Sequence, residues 1–109
     1  MKAIIFLLIL FPLAAISGAS GVRHIEQTGV TDTYFAIYSA DGEFNRDTCD
    51  SGSPVVFYKT DFPEGYASLL SAALSAQMGG KGVEMWFVGC QTSPWGGTMP
   101  KPNSLFIKN

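Results

Sequence analysis

Apolar and polar positions divide this 109-residue chain into an apolar leader, several short alternating runs, and one segment with helical spacing. That segment is Tyr66 to Gly80. Tyr66, Leu69, Leu70, Ala73 and Leu74, flanked by Ala76, fall on one stripe of a helix and form its expected core face. The opposite face, Ser68, Ser71, Ala72 and Ser75, is small and uncharged, and no acid or base occurs between Gly65 and Gly80. Asp61 is the expected N-cap, Pro63 suits the first turn, and Glu64 complements the helix dipole. Gly79-Gly80 stops the helix, with one of the pair expected in the left-handed conformation.

Around the helix the apolar period drops to two. Thr33 to Ser39 (TYFAIYS) is rich in aromatic and β-branched residues and is followed by an Asp41-Gly42 turn. Phe35 and Ile37 are expected in the core, with Tyr34, Ala36 and Tyr38 on the other face. Val55 to Tyr58 is a short strand. Val83 to Gly89 alternates Val83, Met85 and Phe87 against Glu84, Trp86 and Val88, and Ser104 to Lys108 is a closing strand. Ser20 to Gly29 gives a weaker strand signal. Asp41 to Pro54 is polar and acidic, a loop or a short irregular hairpin pinned by Cys49. Gln91 to Asn103 holds three prolines and two glycines and reads as a long loop around Trp95. The order predicts a mainly β chain with one helix (α+β). Its expected form is a small OB-like Greek-key barrel of about five strands with the helix before the penultimate strand. A helix packed on one face of an open antiparallel sheet is the alternative.

The leader changes where the domain begins. Met1-Lys2 followed by the apolar run Ala3 to Ala15 has the shape of an export signal, and Ser17 and Ala19 occupy the −3 and −1 positions of a small-residue cleavage site. The expected division is residues 1–19 as signal peptide and 20–109 as one OB-like domain, secreted or periplasmic, with no membrane span after processing. Lys2 leaves with the signal, so six bases face nine acids, a net charge of −3. With no cluster of Lys or Arg, nucleic acid is not an expected partner. Both cysteines lie beyond the cut, and an even number in a small exported domain is most simply one disulfide, Cys49 to Cys90. It closes a loop of about 42 residues, worth roughly 4 kcal/mol on the chain-entropy account.

Catalytic chemistry has few residues to draw on. His24 is the only histidine, nothing resembles a nucleophile elbow, and paired cysteines remove a thiol nucleophile. A hydrolase would have to combine His24 with a serine. Asp41, Glu43 and Asn45 imitate the first ligands of a calcium loop, but Arg46 replaces the turn glycine and Gly52 stands where a closing acid belongs. No catalytic, metal or cofactor residue is therefore expected. The remaining signal is aromatic: Trp95 in a Ser-Pro-Trp-Gly-Gly loop, with Tyr34 and Tyr38, are the candidate ligand contacts. Flat aromatic faces beside neutral or acidic hydrogen-bonding groups suit a sugar.

The pattern Y-x-x-L-L-x-x-A-L-x-A from Tyr66, then Gly-Gly-Lys-Gly-Val, then a strand closing on Cys90, is similar to the B (cell-binding) subunits of subtilase-cytotoxin-like and pertussis-like bacterial toxins and their short exported relatives. Thr33 to Tyr38, Cys49 and Ser104 to Lys108 extend the resemblance more loosely. It implies an OB-like barrel, a disulfide between Cys49 and Cys90, a ring of five copies and glycan binding on the outer surface. It also implies a helix lining the central pore, which makes Ser68, Ser71, Ala72 and Ser75 the candidate oligomer interface, and a toxin A subunit as partner. The combined expectation is a non-enzymatic binding subunit recognising a glycan as a homo-oligomer. The alternative is a small exported inhibitor or protein-interaction module acting through the Gln91–Pro102 loop.

Overall fold

The computed structural model describes residues 17–44 and 49–109. The chain is mostly β with a single helix. Six strands form one antiparallel sheet: β1 (Ser17–Ala19), β2 (Arg23–Val30), β3 (Tyr34–Ser39), β4 (Val55–Tyr58), β5 (Gly82–Thr92) and β6 (Thr98–Lys108). A 3-10 turn (Lys59–Asp61) leads to the helix α1 (Tyr66–Gly79), which precedes the penultimate strand as expected. The order across the sheet is β1-β5-β2-β3-β4, with β6 on the other side of β5. The leader residues 1–16 of the expected signal peptide lie outside the described residues. Ser17–Ala19 forms β1, antiparallel to Trp86–Val88, so a cut after Ala19 would take β1 out of the sheet.

The sheet curls but does not close into a barrel, so the open sheet with a helix on one face is the form found. Two sequence features keep it open. β4 is only four residues long, ended by the 3-10 turn. β6, which lies beside it, carries Pro100 and Pro102, neither of which has an N–H to offer a ladder. Two side chains bridge the opening instead. Gln91 Nε2 donates to Val56 O at 2.8 Å, and the Tyr58 hydroxyl donates to Thr92 O at 2.8 Å.

Alternation sets the core. Ile25, Phe35, Ile37, Val55, Phe57, Val83, Met85 and Phe87 point to the inner side, where Ala73 and Ala76 of α1 meet them. Phe35 stacks on Phe57 with ring centroids 4.8 Å apart. Tyr66, Leu69 and Leu70 pack at the margin of this cluster. Leu74 does not join them. It is 37% exposed, because the helix sits close enough to the sheet that alanine, not leucine, fills the contact line. Gln77 fastens the helix to β2, accepting from Thr28 Oγ1 at 2.7 Å and donating to Glu26 O at 3.1 Å. Asp61 is not the N-cap: it lies in the 3-10 turn, and Gly65 takes the cap position without a side-chain bond. The C-terminal stop is as expected, with Gly80 left-handed at φ 68°.

The polar segment after Asp41 is not wholly solvated, since Phe44 is buried in the core and its N–H bonds Gly52 O at 2.9 Å. The expected Gln91–Asn103 loop is a β-hairpin: β5 runs on to Thr92 and β6 starts at Thr98. Prolines fit these strands because the register shifts between Trp86 and Cys90, where Pro102 faces Phe87 and Pro100 faces Cys90. Gly89, at φ 70°, makes the bend. The Cys49–Cys90 disulfide sits beside that bend with Cα atoms 5.8 Å apart, and it suits a chain that folds in an oxidising compartment. Among the described residues no helix is long and apolar enough to cross a membrane.

Two substitutions test this packing. Cys90→Ser releases a 41-residue connection and is expected to lower the unfolding free energy by about 4 kcal/mol in urea titration. Ala73→Leu overfills the helix–sheet contact and is expected to cost about 1–3 kcal/mol.

Candidate functional site

The outer side of β3 and β4 is aromatic because the residues alternate so strictly. With Phe35, Ile37, Val55 and Phe57 turned inward, Tyr34, Ala36, Tyr38, Val56 and Tyr58 must face out. Ala36 and Val56 are nonetheless buried, covered by Met99 from the distal half of β6, and Tyr34, Tyr38 and Tyr58 pack around them. The bend at Gly89 is what carries Met99 over to this side.

The same bend delivers Trp95. Its ring meets Tyr34 edge-on, with centroids 5.9 Å apart, and Tyr34 in turn meets Tyr58 edge-on at 5.9 Å. Trp95 remains 55% exposed, so one part of the indole packs and the rest faces solvent. The structure therefore brings two of the expected ligand contacts, Trp95 and Tyr34, into one cluster. Tyr38 lies on the same face, among the residues around Ala36 and Val56. Tyr58 joins the cluster although the strand Val55–Tyr58 gave no functional signal; its cue was the alternation that pairs it with Tyr34.

Several bonds fix the hairpin that carries Trp95. Ser93 N–H donates to Gly97 O at 2.9 Å, Gly96 N–H to Ser93 O at 3.2 Å, and Trp95 N–H to Ser93 Oγ at 3.0 Å. At its base Asp50 Oδ2 accepts from Thr98 N–H at 2.8 Å and Thr98 Oγ1 at 3.2 Å, while Asp50 N–H donates to Thr98 Oγ1 at 3.0 Å. The adjacent disulfide ties Cys49, next to Asp50, to β5. Burial, Tyr34 and Asp61, in that order, push the Tyr58 phenol upward, so it stays protonated and keeps donating to Thr92 O at neutral pH.

One ladder step beyond the Tyr34–Tyr58 pair, Lys59 N–H donates to Thr33 O at 2.9 Å. An open cleft of about 320 Å³ begins there, lined by Asp32, Thr33, Lys59, Thr60 and Pro63. Its Lys59 Nζ lies 5.9 Å from the centroid of the Tyr66 ring, so the cleft opens on the helix side of the sheet, away from Trp95. Neither a family model nor a curated protein nor a solved structure matches this chain.

His24 serves the fold. Asp41 Oδ2 accepts from its backbone N–H at 2.6 Å and lies 3.0 Å from its Nδ1, joining the start of β2 to the turn after β3. Among the described residues no serine hydroxyl bonds His24, and no group of three His, Cys, Asp or Glu side chains could hold a metal ion. Asn45 and Arg46 of the calcium-like stretch lie outside the described residues. Of the candidate interface residues, Ser68, Ser71 and Ser75 are exposed and Ala72 is half-buried.

The bonds from His24 hold the Asp41 carboxyl below its usual 3.8, the backbone bond most, then the ring bond, with small charge effects from His24 and Arg23. A carboxylate depressed in the folded state stabilises above its unfolded value, and that contribution is lost as pH falls through the lower folded value. Urea midpoints followed from pH 6 to about pH 2 are therefore expected to show a shallower acid decline in Asp41→Asn than in the parent chain.

Proposed function

We propose that the protein is a non-enzymatic binding subunit, secreted or periplasmic, that recognises a glycan through Trp95 and Tyr34. The observation that carries this reading is a half-exposed tryptophan held edge-on to a tyrosine, on a hairpin fixed by a disulfide and by Asp50. A sugar ring's C–H face stacks on such an indole without reorganising it, and preorganisation lowers the entropic cost of binding. Assembly as a homo-oligomer, a five-membered ring like that of the toxin B subunits, belongs to the same proposal, as does a toxin A subunit as partner. It is supported by the uncharged outer face of α1 at Ser68, Ser71 and Ser75.

A second reading draws on the same hairpin. A rigid, disulfide-based projection tipped by Trp95 also suits insertion into an enzyme's cleft, which would make the protein an inhibitor acting through Gln91–Pro102. A glycan array separates the two. The glycan reading expects selective signal from the parent chain and a loss of at least about 30-fold in affinity for Trp95→Ala, the size of an aromatic hot spot. Thermal melting of Trp95→Ala is expected to stay close to that of the parent. An array without selective signal would overturn the glycan reading.

A further inference from the structure

We propose that the cleft between the β2–β3 turn and the lead-in to α1 binds a small zwitterion, a free α-amino acid, between Lys59 and Asp32. The site is separate from the Trp95 surface and does not depend on the glycan reading. Asp32 and Thr33 come from the turn after β2, whereas Lys59, Thr60 and Pro63 come from the 3-10 turn and the residues before α1. The opening measures about 320 Å³, at the small end of the range for ligand pockets.

Hydrogen bonds fix both walls. Thr31 Oγ1 accepts from Thr33 N–H at 3.2 Å and from Tyr34 N–H at 3.0 Å, which shapes the turn. Lys59 N–H donates to Thr33 O at 2.9 Å and ties the walls together, and Phe62 N–H donates to Lys59 O at 3.1 Å. Tyr66, at the start of α1, adds a further tie, its hydroxyl donating to Thr31 O at 3.3 Å. Burial and then Asp32 push that phenol upward, so it stays protonated and keeps the bond at neutral pH. The cleft is therefore shaped before any ligand arrives, which lowers the ordering cost of binding.

The charges in this frame are opposite and unpaired. Among the described residues neither the Asp32 carboxylate nor the Lys59 ammonium forms an ion pair, although both line one cleft. Tyr66 accounts for the separation. Lys59 Nζ stands over its ring, 5.9 Å from the centroid, while its hydroxyl lies against the turn that carries Asp32. A lone anion at Lys59 would also meet Asp32, and a lone cation at Asp32 would also meet Lys59. A zwitterion pairs with both and leaves no charge opposed. Its carboxylate would accept from Lys59 Nζ and the Thr60 hydroxyl, its ammonium would donate to Asp32 and to Thr33 Oγ1, and its side chain would lie along Pro63. Every lining residue is exposed, so each ion pair is screened and the expected affinity is weak, about 1 mM.

Amide 15N–1H spectra of the oxidised chain, titrated with three probes of one side chain, test the proposal. Leucine carries both charges, leucinamide only the ammonium, and N-acetyl-leucine only the carboxylate. Leucine is expected to give saturable shifts at Thr33, Lys59 and Thr60, with each single-charge probe at least about 5-fold weaker. Asp32→Asn is expected to lose that preference by weakening leucine and sparing N-acetyl-leucine. Lys59→Gln is expected to do the reverse, weakening leucine and sparing leucinamide, a reciprocal exchange that a change in folding alone would not produce. Equal shifts from all three probes, shifts outside the cleft only, no saturation by leucine, or variants that respond like the parent overturn the proposal. Trp95→Ala is expected to bind leucine as the parent does, so failure here and failure of the glycan reading are distinguishable.

Discussion

The Cys49–Cys90 bond is the constraint on which the outer half of the molecule depends. Gly89 turns β5 out of the main core, and from there the β5–β6 hairpin buries Met99 and Pro100 but no larger apolar cluster of its own. The hydrogen bonds that hold it across the sheet opening, from Gln91 and Tyr58, contribute about 1 kcal/mol each, against roughly 4 kcal/mol from the disulfide. The bond also fixes Cys49 and so positions Asp50, whose carboxylate closes the base of the Trp95 hairpin. Covalent restraint thus replaces the core that a short excursion of chain cannot build for itself.

The sheet has two working sides as a consequence. Its inner side holds Phe35, Phe57, Met85 and Phe87 under α1 and accounts for the stability of the fold. On its outer side, β3 and β4 carry Tyr34, Tyr38 and Tyr58 with Trp95 laid against them, while β5 and β6 leave Trp86, Val88 and Phe106 uncovered. The proposed recognition surface lies on that outer side, beside the disulfide. It stands apart from the inner packing of Phe35, Phe57, Met85 and Phe87.

Much of this was legible in the residues. Alternation in Tyr34 to Ser39 and in Val83 to Val88 placed the inward side chains correctly, the glycine pair ended the helix, and the single pair of cysteines implied their own bond. Three features were hidden for physical reasons. Pro100 and Pro102 suggested a loop because prolines interrupt a ladder, yet they occupy register shifts and a strand edge where no donor is required. Leu74 fits the apolar stripe, but the closeness of α1 to the sheet, which follows from Ala73 and Ala76, turns it outward. β1 falls inside a leader-like run, and its partner Trp86–Val88 is about 70 residues away, beyond any local pattern. Tyr58 became part of the site only through its ladder pairing with Tyr34.

The central claim is that the disulfide and Asp50 hold Trp95 rigid before any ligand arrives. Amide 15N relaxation at Trp95 tests it most directly. In the oxidised chain its order parameter is expected to match the strands, about 0.85, and to fall in Cys49→Ser. A value below roughly 0.6 in the oxidised chain, typical of a flexible loop, would contradict the account.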